Sequence, residues 1–389
     1  MSAPLDGLRV IEVATFITGP YAAMLLADLG AEVIKVEAPG VGDPFRLGAG
    51  AELSSRFIAF NRGKRSVTLD LRSDAGRTAL CRLTDTSDVV IQNFRPGVAE
   101  RLGIGYDQLA TRNERLVYCS ITGFGPDGPA AERPAYDGVG QAISGLMSLL
   151  SGTQDPRPIG PALSDTLCGL FAAYGILAAL QARERTGRGQ HVETSMLRAT
   201  LAFLTEPAAH YFATGEVPGP RTRPRQSQSY GFRAADGRAL VIHLSTPPKF
   251  WEGLLRAVER PDLATDDRFV DYGARVANYD ALHDLLAPVF RRRERPDWLA
   301  VLAAEDVPSA PVHTLAEVFD DPQVRHLGLA VQLAGSDLPA MRTVERAVRL
   351  DGLSPLGRPP SLGEHTDVIL ASLGYDAAAI ADLRRQGVV

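Results

Sequence analysis

Short aliphatic runs alternate with amphipathic, helix-length stretches over the first third of the chain. Residues 8–14, 31–37, 65–71, 88–93 and 115–121 read as strands. Residues 21–29, stopped by Gly30, and a stretch from Ser73 or Asp74 to about Thr84 read as helices. This βαβ rhythm predicts an α/β fold built on a Rossmann-like, doubly wound parallel sheet. Further on, residues 167–180 are apolar almost all round and predict a buried helix.

The pattern changes near residues 205–230. Pro218, Gly219, Pro220 and Pro224, with Arg221, Arg223 and Arg225 among them, read as an extended linker. Beyond it come a strand over 239–244 and helices over 247–258 and 298–304. A chain of 389 residues exceeds what one core usually serves. The expected organisation is a large domain over 1–205, a linker over 206–221, and a small α+β domain over 222–320. A second linker over 321–344 then leads to a C-terminal return to the large domain over 345–389.

Composition narrows the function classes. Hydrophobic residues make up 45% and charged residues 22%, as in an ordinary globular protein. A net charge of −5 gives no basic field for nucleic acid. Of the 41 basic residues only Lys35, Lys64 and Lys249 are lysines. Cys81, Cys119 and Cys168 are sparse and widely spaced, which fits a reducing, cytoplasmic setting better than a disulfide framework. No charged segment followed by an apolar one opens the chain, so no signal peptide is expected. The run 167–180 is short and broken by glycine, so no membrane span is expected either. His210, His243 and His365 lack ligand spacing, so no metal site is expected.

Asp165 stands just before that apolar run, in Ile-Gly-Pro-Ala-Leu-Ser-Asp-Thr. One reading makes it an N-cap, the usual duty of an Asp at a helix start. The other makes it a nucleophile, kept ionised by backbone N–H groups and the helix dipole in a mostly dry site.

Ligands of open parallel sheets bind beyond the carboxyl ends of the strands. That rule selects Thr15 to Pro20, Arg72, the segment Asn93 to Gly97 with Arg101 after it, and Thr122 to Gly125 leading to Arg133–Asp137. Arg72, Arg95, Arg101 and Arg133, with Phe94 and Tyr136, would suit an anionic, partly aromatic ligand such as a nucleotide. The first strand–helix turn is Ala-Thr-Phe-Ile-Thr-Gly-Pro and lacks the G-x-G-x-x-G of a nicotinamide site. No Walker A sequence and no H-E-x-x-H are present.

A set of segments, in order, carries a resemblance over nearly the whole chain. They are Leu5-Asp6-Gly7-Leu8-Arg9-Val10-Ile11-Glu12 with Gly19-Pro20, Gly30 to Glu37, Asn61-Arg62-Gly63-Lys64-Arg65-Ser66 with Leu69-Asp70-Leu71-Arg72, and Asn93-Phe94-Arg95-Pro96-Gly97. Tyr136-Asp137, Asp165, Thr186-Gly187-Arg188-Gly189-Gln190 and Leu362-Gly363-Glu364-His365-Thr366 complete it. The chain resembles the class III CoA-transferases, a group that includes formyl-CoA and carnitine CoA-transferases and the α-methylacyl-CoA racemases. The resemblance implies an interlocked, ring-like homodimer. It implies that Asp165 is the nucleophile, forming an aspartyl anhydride and then an aspartyl-CoA thioester. It implies CoA contacts from Ile17, Thr18, Leu69, Arg72, Asn93, Phe94, Arg101 and the run Arg133 to Tyr136. The expected partners are an acyl-CoA and a small carboxylic acid, with coenzyme A as substrate and no permanently bound cofactor.

Departures from the family pattern bear on the substrate. Ile17 stands where the formyl-CoA group has Gln, and the segment near 245–248 lacks that group's glycine-run lid, so formyl or oxalyl transfer is disfavoured. Tyr136 stands where the racemases carry His, and a phenol near its free pKa of about 10 is a poor base at neutral pH. Lys64 precedes its strand at the far edge and is expected to be structural. Asp137 is expected to be a turn or cap residue that tunes Asp165 if close to it. Arg46 is a candidate partner for a second substrate carboxylate. Racemisation and non-catalytic acyl-CoA binding stay open as alternatives.

Overall fold

The computed structural model describes residues 2–46, 53–336 and 341–389. Six short strands, β1 (Arg9–Val13), β2 (Glu32–Glu37), β3 (Arg65–Thr68), β4 (Val89–Gln92), β5 (Val117–Thr122) and β6 (His191–Ser195), form one parallel sheet. Their order is β3-β2-β1-β4-β5-β6. The order reverses between β1 and β4, and the loops leaving such a switch point diverge and open a crevice. The first four strands lie within the predicted runs, and β5 extends its run by one residue, to Thr122. β6 was not anticipated: His-Val-Glu-Thr-Ser is an edge strand, largely exposed, with little apolar signal.

The helices that place the site are α1 (Thr18–Asp28), α2 (Asp74–Asp85), α3 (Val98–Arg101), α4 (Asp137–Ile143), α5 (Leu163–Thr186) and α6 (Met196–Phe203). Successive strand residues point to opposite faces, and both faces are covered. On one face Val10, Val33, Val89, Ile91, Val117 and Ile121 pack with Ala22 and Leu26 of α1 and with Cys168, Ala172 and Ile176 of α5. On the other, Ile11, Val13, Ile34, Val67 and Val90 pack with Leu80 and Leu83 of α2 and with the C-terminal residues Ile369, Leu370, Ile380 and Leu383. The Gly-Glu-His-Thr segment docks there as well. The N–H of His365 donates to Ser66 O at 2.9 Å, and Thr366 Oγ1 accepts from Thr68 N at 3.1 Å.

The helix expected to be buried all round is not. α5 starts at Leu163, ahead of the apolar run, and reaches 24 residues, long and apolar enough to cross a membrane by length and composition alone. Gly169, Ala172, Ala173 and Ile176 are buried against the sheet and α1, whereas Leu170 is exposed and Tyr174 is 69% exposed. Small residues on the inner stripe permit the close approach: a Cβ at Gly169 would lie 2.6 Å from Thr18 O.

Contacts divide the chain into two units, 1–147 with 157–205 and 327–389, and 148–156 with 206–326. The second unit holds an antiparallel sheet of Ser229–Arg233, Ala239–His243 and Ser309–Pro311. Its core is aromatic, with Tyr230, Phe232, Phe269, Phe290 and Trp298 all buried. The stretch expected to be an extended linker over 206–221 is largely the helix Thr205–Thr214. The other expected linker, 321–344, contains the helix Pro322–Leu327 and the paired strands Ala330–Gln332 and Arg342–Val344. Its residues 337–340 lie outside the described residues.

Ile176 is fully buried where α5 meets the sheet. Ile176→Ala should lower unfolding free energy by about 2–5 kcal/mol, read by denaturant titration. A loss under about 1 kcal/mol would show that this contact is not a central part of the core.

Candidate active site

The segment from Ala14 to Pro20, a loop that runs into the first turn of α1, leaves β1 at the switch point. Phe16 within it has φ +66°, an uncommon conformation for a residue with a side chain. The loop also folds tightly on itself, since a Cβ at Gly19 would lie 2.3 Å from that of Ala14. Asn93, leaving β4 on the other side of the crevice, braces it. Its Nδ2 donates to Thr15 O at 2.8 Å and Thr18 Oγ1 at 3.1 Å, and its Oδ1 accepts from Thr15 N at 3.1 Å. Asn93 was expected to contact CoA. Both its amide hydrogens are already committed to the loop, so its side chain serves first as a brace.

The N-terminus of α5 is built by two carboxylates. Asp137, the first residue of α4, accepts from Ser164 N at 2.8 Å and Asp165 N at 3.2 Å through Oδ1. Its Oδ2 accepts from Gln141 Nε2 at 2.5 Å. Gly140 lets the two helices approach, because a Cβ there would collide with Ser164. Asp137 thus does the capping, and Asp165 lies inside the first helical turn rather than at the cap position, which Ala162 occupies.

Asp165 is 9% exposed, and no described residue hydrogen-bonds its carboxylate. Burial, reinforced by the Asp137 charge, pushes its pKa up to about 7. The expectation that helix N–H groups hold it ionised is therefore overturned, because those of Ser164 and Asp165 point at Asp137. Those two amides are not free to stabilise a substrate oxyanion either.

Asp165 borders a cavity of about 230 Å³ that Thr15, Phe16, Ile17, Thr18, Asn93, Phe94, Arg95, Arg133, Tyr136 and Met196 also line. A second cavity, about 460 Å³, shares Thr15 and Phe94 with it and is lined by Leu69, Arg72, Leu102 and Gly387 among others. Most of the residues selected from the sequence fall into these two places, with Thr15 and Phe94 as the common wall. Arg101, at the end of α3, is exposed and lines neither cavity. Arg72 lines the second with its side chain 89% exposed, but its guanidinium rests on Asp70 at 2.9 Å. Arg95 and Arg133 form no ion pair among the described residues, and Arg133 lies over the Phe124 ring at 5.5 Å. Tyr136 is 65% exposed, with its ring edge-on to Phe16 at 5.8 Å.

Two expectations change. Arg46 is buried, pairs with Glu37 at 2.7 Å and lies 3.8 Å over the Phe57 ring, so it is not available to a substrate carboxylate. Met196 lines the small cavity and was not foreseen. It follows β6, so the strand-end rule would have found it had that edge strand been recognised. Lys64 is buried and contacts Glu12, Asn61 and Pro20, clear of both cavities.

Comparison with known proteins places this architecture. The family described as CoA-transferase family III matches residues 5–366. Acetyl-CoA:oxalate CoA-transferase of Acetobacter aceti is 39% identical over 86% of this chain and 87% of its own length. Succinyl-CoA:mesaconate CoA-transferase of Haloarcula hispanica is 36% identical over 95% of this chain and 96% of its own. The crystal structure of a CAIB/BAIF family protein from Brucella suis superposes with a TM-score of 0.83 at 37% identity, covering 96% of this chain and all 100% of that one. The fold and these similarities, extending across both units, establish that this chain belongs to CoA-transferase family III and is a CoA-transferase.

Proposed function

We propose that Asp165 carries CoA from an acyl-CoA donor to a small carboxylic acid. The observation that carries this reading is a buried carboxylate, with no hydrogen bond of its own among the described residues, on the wall of a small cavity next to a larger one. An Asp165 oxygen attacks the thioester carbonyl carbon, the C–S bond breaks and CoA thiolate leaves, giving a mixed anhydride. The thiolate attacks the aspartyl carbonyl, releasing the donor acid and leaving an aspartyl-CoA thioester. The acceptor carboxylate attacks that thioester and expels the thiolate. The thiolate then attacks the acceptor's acyl carbon, which gives the new acyl-CoA and frees Asp165. Thioester energy is kept throughout, so neither a nucleotide triphosphate nor a permanent cofactor enters.

The larger cavity, with Arg72 at its rim, suits the CoA moiety, and Ile17, Thr18, Phe94, Arg133 and Tyr136 suit the region nearer the thioester. Arg101 is retained as a phosphate contact outside the cavities. A space of about 230 Å³ favours a short acyl group. Relatives are named for oxalate and mesaconate, so short dicarboxylic acids head the acceptor panel, oxalate included despite Ile17.

The protein is further proposed to be a cytoplasmic, interlocked homodimer. Leu170, Tyr174, Leu201 and Phe203 are exposed on α5 and α6, an apolar surface that a second copy would cover. Three free cysteines fit a reducing compartment. Protein recovered from the soluble cytoplasmic fraction should show twice the mass of one chain by light scattering. A monomeric mass would refute the dimer, and recovery only from a membrane or secreted fraction would refute the location.

Asp165→Ala should abolish transfer across a panel of acyl-CoAs and acids while CoA affinity changes little. Hydroxylamine added during turnover should modify the wild-type protein at Asp165. Near wild-type transfer by the variant, or a label on another acid, would end this mechanism. Solvent deuterium entering the α-carbon of a 2-methylacyl-CoA in an Asp165-dependent way would favour the racemase alternative.

The raised pKa fixes the pH dependence. The nucleophile is the carboxylate, so kcat/KM should rise with pH through about 7. Asp137→Asn keeps an oxygen for the Ser164 and Asp165 amides but removes the neighbouring charge, and should move that limb to lower pH. The folded state holds the Asp165 proton more tightly than the unfolded chain does. The stability conferred by the protonated group is full below about pH 4 and lost as pH rises through about 7. Asp165→Asn should therefore raise Tm more at pH 8 than at pH 5. An equal effect at both, or an acid limb near pH 4, would show that Asp165 titrates as an ordinary carboxylate.

A further inference from the structure

Glu12 on β1 and Lys35 on β2 are register partners and lie on the sheet face that carries α1 and α5. Both are fully buried, as is Lys64, which precedes β3. Glu12 joins the two ammonium groups, with Oε1 at 2.6 Å from Lys35 Nζ and Oε2 at 2.6 Å from Lys64 Nζ. Each ammonium meets two further oxygens. Lys35 has Ala14 O at 2.9 Å and Asp43 Oδ2 at 2.9 Å. Lys64 has Asn61 Oδ1 at 2.8 Å and Pro20 O at 2.9 Å.

The two carbonyls flank the loop that lines the small cavity. Ala14 O opens it and Pro20 O lies just beyond it in the first turn of α1, with Thr15, Phe16, Ile17 and Thr18 between them. Thr18 also packs directly against α5, four residues along the helix from Asp165, at Gly169. We infer that the Lys35–Glu12–Lys64 bridge is a positioning device that holds the start of this loop and the first turn of α1 that follows it in register with Asp165. The inference rests on the reading of Asp165 as the reacting group.

The choice of residue supports this. The chain uses lysine at only three of its 41 basic positions, and two of the three are here. An ammonium is a compact charge with three donors, and each site sets two hydrogen-bond acceptors and one carboxylate oxygen in ion-pair contact around it. A planar guanidinium cannot reproduce that arrangement. The third lysine, Lys249, is an exposed surface partner of Asp306. Lys35, Lys64, Glu12 and Asp43 together carry no net charge, which a buried group requires.

Three measurements test the device. Lys64→Arg keeps the charge but loses the three-point geometry. Glu12→Gln combined with Lys64→Met keeps the cluster neutral, with Lys35 and Asp43 as its only charges, but releases Pro20 O. Both should fold, judged by Tm and circular dichroism. Both should lose at least tenfold in kcat, with a smaller change in KM for acyl-CoA. Wild-type kcat in either variant would overturn the inference, since charge balance alone would then suffice.

If neither folds, the wild-type enzyme still decides. Lys64 faces Glu12, Lys35 and Asp43, and burial pulls its pKa down to about 8. A neutral amine keeps two N–H donors, enough for Asn61 Oδ1 and Pro20 O, but loses the ion pair that joins it to Glu12, so kcat should fall above pH 8 while Tm does not. A kcat flat from pH 7.5 to 10 would overturn the inference. Absence of CoA transfer by wild-type protein, or transfer that survives in Asp165→Ala, would instead refute the role of Asp165.

Discussion

One carboxylate capping another residue's helix sets the surroundings of Asp165, the proposed nucleophile. A helix N-terminus leaves N–H groups without partners, and something must accept them. Here Asp137 reaches across from α4 to accept two of them, those of Ser164 and Asp165. Asp165, with no hydrogen bond to its carboxylate among the described residues and with the Asp137 carboxylate beside it, has its pKa pushed up to about 7. Two like groups thereby have different surroundings, one accepting the helix amides and one buried without a hydrogen bond among the described residues. A more basic carboxylate is also a better nucleophile once ionised, so in the proposed role the burial that disfavours its charge would sharpen its reactivity.

The sheet supplies the frame for that pair. The reversal of strand order between β1 and β4 separates their loops, and Asn93 ties them together again across the crevice. Glycines act where backbones nearly touch. Gly140 admits Ser164, and Gly169 admits the Thr18 carbonyl. Tight packing of this kind leaves little freedom to the wall of the small cavity, and alignment of reacting atoms depends on that rigidity.

Where sequence and structure part, the cause lies in side-chain partners. Arg46 and Arg72 look alike as loop arginines beside acidic residues. Arg46 is drawn into a buried pair with Glu37 and against Phe57, while Arg72 stays in solvent on Asp70. β6 escaped notice because an exposed edge strand needs no apolar face, and Met196 escaped with it. The apolar surface of α5 is legible as composition, yet only packing shows that Leu170 and Tyr174 face outward.

The sequence by itself determined the parallel sheet and five of its strands, and it marked out the loops at their carboxyl ends and Asp165 beside them. These are local or periodic properties: strand alternation, turn residues and the carboxyl-end rule depend on neighbours along the chain. Tertiary structure alone decided that Asp137 rather than Asp165 caps α5, and that Asn93 braces a loop. It also decided that Lys35 and Lys64 meet at one glutamate. Each of these joins residues at least 20 positions apart, and the charge state of a buried group follows from the atoms around it rather than from those beside it in the chain.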